Sequence, residues 1–80
     1  LGYAINWNFG IQHAFGKALR SRRERVGLSQ EELGFASAIH RTYISMIERG
    51  IGNPTLSVLS DLAQVLRVRL SVLIAEIELS

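Results

Sequence analysis

Apolar side chains recur at spacings of three and four over three segments of the chain, a pattern that indicates amphipathic α-helices. The first segment covers about residues 10–26 and ends at Gly27, a residue type that commonly closes a helix. The second follows the N-cap residue Thr55 and covers 56–66, and the third covers about 70–78. The apolar positions are Ile11, Phe15, Ala18, Leu19 and Val26, then Leu56, Leu59, Leu62, Ala63 and Leu66, then Leu70, Leu73, Ile74 and Ile77.

Two shorter helices are predicted between residues 28 and 54, and the first follows Ser29. Ser29 is a good N-cap, and Glu32 three residues later completes a capping box. Gln30 and Glu31 add a helix former and a negative charge in the first turn, where the helix dipole favours acids. A helix is therefore expected to begin near Gln30.

The second short helix is expected over about residues 41–49, with His40 before it as an indifferent cap. Ile44 and Ile47, three residues apart, give it one apolar face. Gly50, Gly52 and the pair Asn53-Pro54 end it. Both helices are too short and too close together for separate cores, so they are expected to share one.

Residues 1–9 are apolar but lack the spacing of a helix. Tyr3, Ile5, Trp7 and Phe9 alternate with smaller or polar residues, which is formally a strand pattern without an obvious partner strand. We interpret the segment as an N-terminal arm that packs on the helical body or on a neighbour, and residues 10–80 as the folded domain.

Length and composition exclude several classes of protein. The 80 residues make one small domain, and the absence of cysteine excludes a disulfide framework and thiolate metal sites. His13 and His40 have no ligand spacing around them, so neither a metal nor another cofactor is expected. No apolar run of about 20 residues and no signal peptide is evident, which predicts a cytoplasmic protein without a membrane span.

The net charge is only +2, but the basic residues are concentrated in the first two-thirds of the chain. A basic face is typical of a protein that binds nucleic acid. For the cluster from Arg20 to Arg25 taken alone, an ordinary solvated helix surface is the better interpretation.

The stretch LSQEELGFASAIHRTYISMIERGIGNP, residues 28–54, resembles the helix-turn-helix of the phage-repressor and Cro-like (XRE-type) family. Its segment HRTYIS is similar to the recognition segment of restriction-modification controller proteins and related phage-type repressors. The chain departs from the family in having Gly34 where Ala is usual and Ala38 where Gly is usual, which predicts a less sharp turn at Ala38. The matching residues are Ser29, Gln30, Glu31, Glu32, Leu33, Ser37, Arg41, Ile44, Ser45, Ile47, Glu48, Arg49, Gly50 and Pro54.

This resemblance implies an all-α, compact, five-helix, lambda-repressor-like DNA-binding domain. It also implies that Arg23 pairs with Glu48 and thereby ties the first helix to the helix that recognises DNA. Contacts to the sugar-phosphate backbone are implied for four residues, namely Gln30, Tyr43, Arg49 and Asn53.

The outer face of the helix at 41–49 has the side chains that base recognition in a major groove requires. Arg41 can contact a guanine with both ends of its guanidinium, and Thr42 and Ser45 offer hydroxyls. Met46 either contacts a thymine methyl or is an exposed residue without a role. These four residues are the candidate base contacts.

The last predicted helix has more apolar residues than one core can cover, which points to a subunit interface. Val72, Leu73 and Ile77 are the candidates, although a few ordinary exposed aliphatic residues would give the same pattern. A homodimer would double the small footprint of one domain and place two recognition helices about 34 Å apart, on an inverted repeat in double-stranded DNA.

The sequence therefore predicts a dimeric transcriptional regulator, expected to act as a repressor. The alternative is a protein-interaction module or antitoxin-like component that uses the same helices to bind a protein. An enzyme is not expected, because no phosphate loop, metal constellation or set of nucleophile and base is present. No small-molecule ligand is evident either.

Overall fold

Over the residues that the structure describes, the chain forms only helices. The computed structural model describes the backbone of residues 7–79 and the side chains of residues 10–76. These residues form five α-helices without a strand, as the resemblance implies. The helices are α1 (Trp7–Val26), α2 (Gln30–Ser37), α3 (Arg41–Glu48), α4 (Leu56–Val65) and α5 (Leu70–Leu79).

Helix α1 begins three residues earlier than the spacing predicts, at Trp7 and not at Gly10. Residues 7–9 of the expected arm are therefore helical, and residues 1–6 lie outside the described residues. The physical reason is that a segment without a partner strand must bond its backbone groups in some other way, and extending a helix does so. Gly27 closes α1 in the left-handed region with φ 86°, as predicted.

One core holds all five helices together. Ile44 and Ile47 of α3 and Leu33 of α2 are fully or almost fully buried, which confirms that the two short helices share the core. Leu56, by contrast, is 70% exposed at the start of α4. The buried apolar residues are Phe15, Leu19, Leu33, Ile39, Ile44, Ile47, Leu62, Ala63, Leu66 and Leu73.

The turn between α2 and α3 is sharp, so the prediction of a relaxed turn at Ala38 is wrong. Ala38 lies in the left-handed region with φ 59° and ψ 31°, and Ile39 N–H donates to the Gly34 carbonyl at 3.0 Å. A Cβ on Gly34 would lie 2.6 Å from the Ile39 carbonyl oxygen. Gly34 thus permits the close approach of the two helices, while Ala38 bears the strain of a positive φ.

Helix α5 does not present all of the residues that were expected at a subunit interface. Leu73 has no exposed surface and lies in the core, so its assignment to a dimer interface is wrong. The cause is that α5 turns the stripe containing Leu73 toward α1 and α4, against which it packs. Val72, on another face, is 41% exposed, and the side chain of Ile77 lies outside the described residues.

Helix α1 contacts both α3 and α5, and a glycine sets its distance from α3. A Cβ on Gly16 would lie 2.5 Å from the Ile47 carbonyl oxygen and 2.7 Å from that of Glu48. On the other side, Arg22 forms a two-pronged ion pair with Glu76 of α5, with Nε–Oε1 and Nη2–Oε2 distances of 2.9 Å each. These contacts fix α3 and α5 to the same helix.

Candidate nucleic-acid interface

Helix α3 has one buried face and one outer face. Ile44 and Ile47 anchor it in the core, while Arg41 and Thr42 are exposed in its first turn. Ser45, one turn later, is half-buried. This arrangement follows from the apolar spacing, because residues three and four apart share a helix face and leave the others on the opposite side.

A polar cleft runs between the N-terminal ends of α2 and α3. Its lining includes four residues predicted to contact DNA, namely Gln30, Arg41, Thr42 and Ser45, and also Glu31 and His40. The structure thus brings together three of the four predicted base contacts and one predicted backbone contact.

The other four predicted contacts do not line this cleft. Met46 is half-buried, and Tyr43 is half-buried and packs against the core. Arg49 is exposed at the end of α3, where its Nε donates to the Ser45 carbonyl at 3.4 Å. Asn53 is exposed in the following loop and borders a separate apolar groove with Ile11 and Pro54.

The side chains of Arg23, Glu48 and the cleft residue Gln30 form a partly buried network. Arg23 Nε donates to Glu48 Oε2 at 2.6 Å and Arg23 Nη2 to Oε1 at 3.0 Å, so the ion pair that the resemblance implies is present. Gln30 Nε2 also donates to Glu48 Oε1, at 3.0 Å, and Arg23 Nη1 donates to the Leu28 carbonyl at 2.8 Å. The hydrogen bond to Glu48 raises the pKa of the Arg23 guanidinium above its ordinary value.

This network gives the Gln30 amide a protein partner that the sequence did not predict. One of its N–H groups is committed to Glu48, which leaves its other N–H and its carbonyl oxygen for a ligand. Glu48 therefore connects Arg23 of α1 and Gln30 of α2 to the C-terminal end of α3.

His40 caps α3, so the prediction of an indifferent cap is wrong. Its Nδ1 accepts a hydrogen bond from Thr42 N–H at 3.1 Å. Sequence reasoning missed this role because Ser, Thr, Asp and Asn are the usual caps. The available signal was the position of His40 directly before the first helical residue, together with the acceptor nitrogen that a neutral imidazole offers.

The charges at the interface are mixed. Arg41 and Arg49 are exposed at the two ends of α3, and Glu31 is an exposed acid that lines the cleft. Glu32, next to it, closes the capping box with Ser29: Ser29 N–H donates to Glu32 Oε1 at 2.8 Å, and this bond lowers the pKa of the Glu32 carboxyl.

Within the described part of the chain, no group of three His, Asp or Glu side chains is placed to hold a metal ion. Among the helices described, none has the length and apolar character needed to cross a membrane.

Comparison with known proteins identifies the fold. A family model described as helix-turn-helix matches residues 19–73, which contain α2, the turn and α3. The chain is 40% identical over 60 residues to control protein C.BamHI of Bacillus amyloliquefaciens, covering 74% of each chain. It is 45% identical over 56 residues to control protein C.SmaI of Serratia marcescens, covering 70% of this chain and 67% of that protein.

Longer relatives match as well. The chain is 40% identical over 58 residues to the uncharacterized HTH-type transcriptional regulator Rv0474 of Mycobacterium tuberculosis, covering 72% of this chain. It spans only about two fifths of that regulator, since the match covers 41% of the longer protein.

Solved structures share the arrangement of helices. The controller protein C.AhdI of Aeromonas hydrophila superposes with a TM-score of 0.76 at 39% identity, covering 78% of this chain and 94% of that one. SinR, a master regulator for biofilm formation solved in complex with DNA, superposes with a TM-score of 0.71 at 30% identity, covering 74% of this chain and 95% of that one. The family model, the sequence relatives and the structures agree, and the chain belongs to the helix-turn-helix family that includes these regulators and restriction-modification control proteins.

Proposed function

We propose that this domain binds double-stranded DNA in a sequence-specific manner and regulates transcription, as a repressor, with α3 in the major groove. The observation that carries the proposal is that exposed Arg41 and Thr42 line one cleft on the outer side of α3. Half-buried Ser45 and Gln30 line the same cleft. A major groove about 12 Å wide admits one helix, and its base edges present a distinct pattern of donors and acceptors for each base pair.

Each side chain of the cleft suits a particular contact. Arg41 can donate two hydrogen bonds to guanine O6 and N7, and Thr42 and Ser45 can bond a base edge or touch a thymine methyl group. Met46 is assigned an apolar contact at the margin, because it follows Thr42 by four residues on α3 and so lies on a neighbouring part of the same face.

Backbone contacts are assigned to the four polar residues around the base-contacting set. The Gln30 amide retains one N–H group for a phosphate, and Arg49 and Asn53 are exposed beyond the end of α3. Tyr43 is held by the core on one side, so its hydroxyl can act as a fixed donor. Contacts of this kind orient a protein on the duplex and carry little sequence information.

A dimer is the proposed binding form, on an operator that is an inverted repeat. One domain covers too few base pairs to be selective in a genome, and a two-fold pair places two copies of α3 about one turn of DNA apart, ~34 Å. Val72, exposed on α5, supports this helix as the interface, and Ile77 of the same helix stays a candidate from the sequence. Leu73 takes no part, since it is buried within its own subunit.

Selection of duplex DNA from a random library by the purified protein tests the proposal. An inverted repeat should enrich with the native chain, and Arg41→Ala should lose its preference at one guanine in each half-site. Arg67→Ala is the matched control, because it removes the same charge from an exposed residue after α4 and should select the same sequence. If nothing enriches even at low salt, where phosphate contacts are strongest, the domain does not act by binding DNA.

A further inference from the structure

We infer that His40 is a positioning residue for sequence recognition. It holds the first turn of α3 in one geometry, and it does so only as the neutral imidazole protonated at Nε2. The inference rests on the proposed function and concerns a residue that the DNA-contacting set does not include.

His40 satisfies three successive N–H groups at the start of α3. Its Nδ1 accepts from Thr42 N–H at 3.1 Å, and its carbonyl oxygen accepts from Tyr43 N–H at 2.9 Å and Ile44 N–H at 3.2 Å. The first four N–H groups of a helix have no partner within the helix, so the geometry of the first turn depends on such bonds. The two bonds to the carbonyl oxygen would remain with any residue at this position, so the imidazole contributes the bond to Thr42 N–H. That bond completes the cap of the turn that carries Arg41 and Thr42.

The other capped helices use a different device. Ser29 of α2 and Thr55 of α4 cap with hydroxyls that accept from the third helical residue, Glu32 and Val58 respectively. A hydroxyl rotates and can both donate and accept, whereas Nδ1 of a neutral imidazole accepts only when the proton is on Nε2. The bond to Thr42 N–H therefore defines the tautomer of His40.

The place of His40 links this cap to recognition. His40 is exposed and lines the same cleft as Gln30, Arg41, Thr42 and Ser45. The other ionisable groups lining the cleft are Glu31 and Arg41. Side chains that contact bases must be held within about 0.5 Å of the productive geometry. A first turn that frays displaces Arg41 and Thr42 together. The resulting loss of binding affinity is larger on the operator, where both residues make specific contacts, than on unrelated DNA.

The test compares affinity for the selected operator with affinity for the same duplex changed at the base pair assigned to Arg41. In His40→Ala this ratio should fall about fivefold, the effect expected from losing one cap, with little change on unrelated DNA. His40→Asn should restore the ratio to within about twofold of the native value, because the Asn side chain also accepts from the first turn.

Thr55→Ala is the matched control. It removes the cap of α4, which is not part of the cleft, and should leave the ratio unchanged. Long-range proton–nitrogen NMR of the native domain should show His40 protonated at Nε2 and not at Nδ1.

A fall in affinity for all sequences alike in His40→Ala would overturn the inference, and so would a failure of His40→Asn to restore the ratio. Protonation at Nδ1 in the native domain would overturn it as well. Failure of the proposed function would be distinct, because no operator would then have been selected.

Discussion

Two neighbouring arginines of α1 form ion pairs that differ in their surroundings. Arg23 bonds Glu48 of α3, and the two side chains are only 11% and 3% exposed. Arg22 bonds Glu76 of α5, and these side chains are 25% and 26% exposed. Both pairs have two-pronged geometry with short distances, so burial is the principal difference between them.

That difference determines what each pair contributes. A buried charge that loses its partner cannot be solvated, so breaking such a pair costs several kcal/mol. A partly exposed charge recovers water when its partner is removed, and such pairs contribute about 1 kcal/mol or less. The contact between α1 and α3 is therefore expected to be sensitive to single substitutions, and the contact between α1 and α5 to be tolerant.

The largest effect is expected from Arg23→Ala. It leaves the Glu48 carboxylate buried with Gln30 as its remaining side-chain partner, and should lower the free energy of unfolding by about 3 kcal/mol. Urea denaturation measures this change. The double variant Arg23→Met with Glu48→Leu removes both charges and should recover most of the loss. An unchanged melting temperature in Arg23→Ala would show that the pair contributes nothing.

The next largest loss of stability is expected from Gly16→Ala. The added Cβ meets two carbonyl oxygens of α3, at 2.5 and 2.7 Å, and the backbone must move apart to accept it. Alanine gains about 1 kcal/mol over glycine in helix propensity, but the clash outweighs this gain. We expect the free energy of unfolding to fall by a net amount on the order of 2 kcal/mol.

Gly10→Ala supplies the control for Gly16→Ala. Nothing lies within 4 Å of a Cβ at that position of the same helix, so Gly10→Ala should be neutral or stabilising. Equal unfolding midpoints for the two variants would contradict a tight contact between α1 and α3.

Ala38→Gly should stabilise the domain by about 1 kcal/mol, since it removes the Cβ that is strained at φ 59°. Gly34→Ala should act in the opposite direction, because its Cβ would lie 2.6 Å from the Ile39 carbonyl oxygen. Thermal unfolding of both single variants and of the double variant measures the two effects. A destabilised Ala38→Gly would mean that the turn does not depend on the left-handed residue.

Arg22→Ala is expected to cause the smallest decrease in the free energy of unfolding, about 1 kcal/mol or less. High salt should make this decrease smaller still. The hydrogen bond from Arg22 lowers the pKa of the Glu76 carboxyl. A lowered pKa in the folded state means that this contribution is present above the unfolded value, near 4.3, and is lost as the pH falls through the folded value.

The difference in stability between the native chain and Arg22→Ala should therefore diminish below about pH 4. Arg20→Ala is the control, because it breaks a pair with Glu24 whose side chains are 65% and 56% exposed. A loss from Arg22→Ala as large as that from Arg23→Ala would remove the distinction between the two contacts.

The sequence predicted the features of this fold that depend on local pattern. Apolar spacing identified α1, α4 and α5, and capping and stop residues, with the Ile44–Ile47 pair, identified the two short helices. The Ser29–Glu32 capping box placed the start of α2 correctly. The resemblance to a family supplied the Arg23–Glu48 pair, which no local rule predicts because its members are 25 positions apart.

The remaining features depend on contacts between distant segments. The role of Gly16 is visible only when α3 lies against it, and the burial of Leu73 depends on how α5 turns toward α1. The bond between Gln30 and Glu48 likewise joins the start of one helix to the end of another. Hydrophobic periodicity identifies the apolar face of a helix, but it does not tell whether that face meets its own core or another subunit.

Helix α1 is 20 residues long, about 30 Å, and it contacts both α3 and α5. In the proposed dimer, α5 forms the subunit interface and α3 binds the DNA. Helix α1 packs against both and therefore holds α3 rigidly relative to α5. Such a dimer has little freedom to adjust the distance between its two copies of α3. Inserting one base pair between the half-sites shifts them by about 3.4 Å and rotates them by about 35°. Because α1 holds each α3 rigidly, the DNA and not the protein would have to twist for both copies of α3 to keep their contacts.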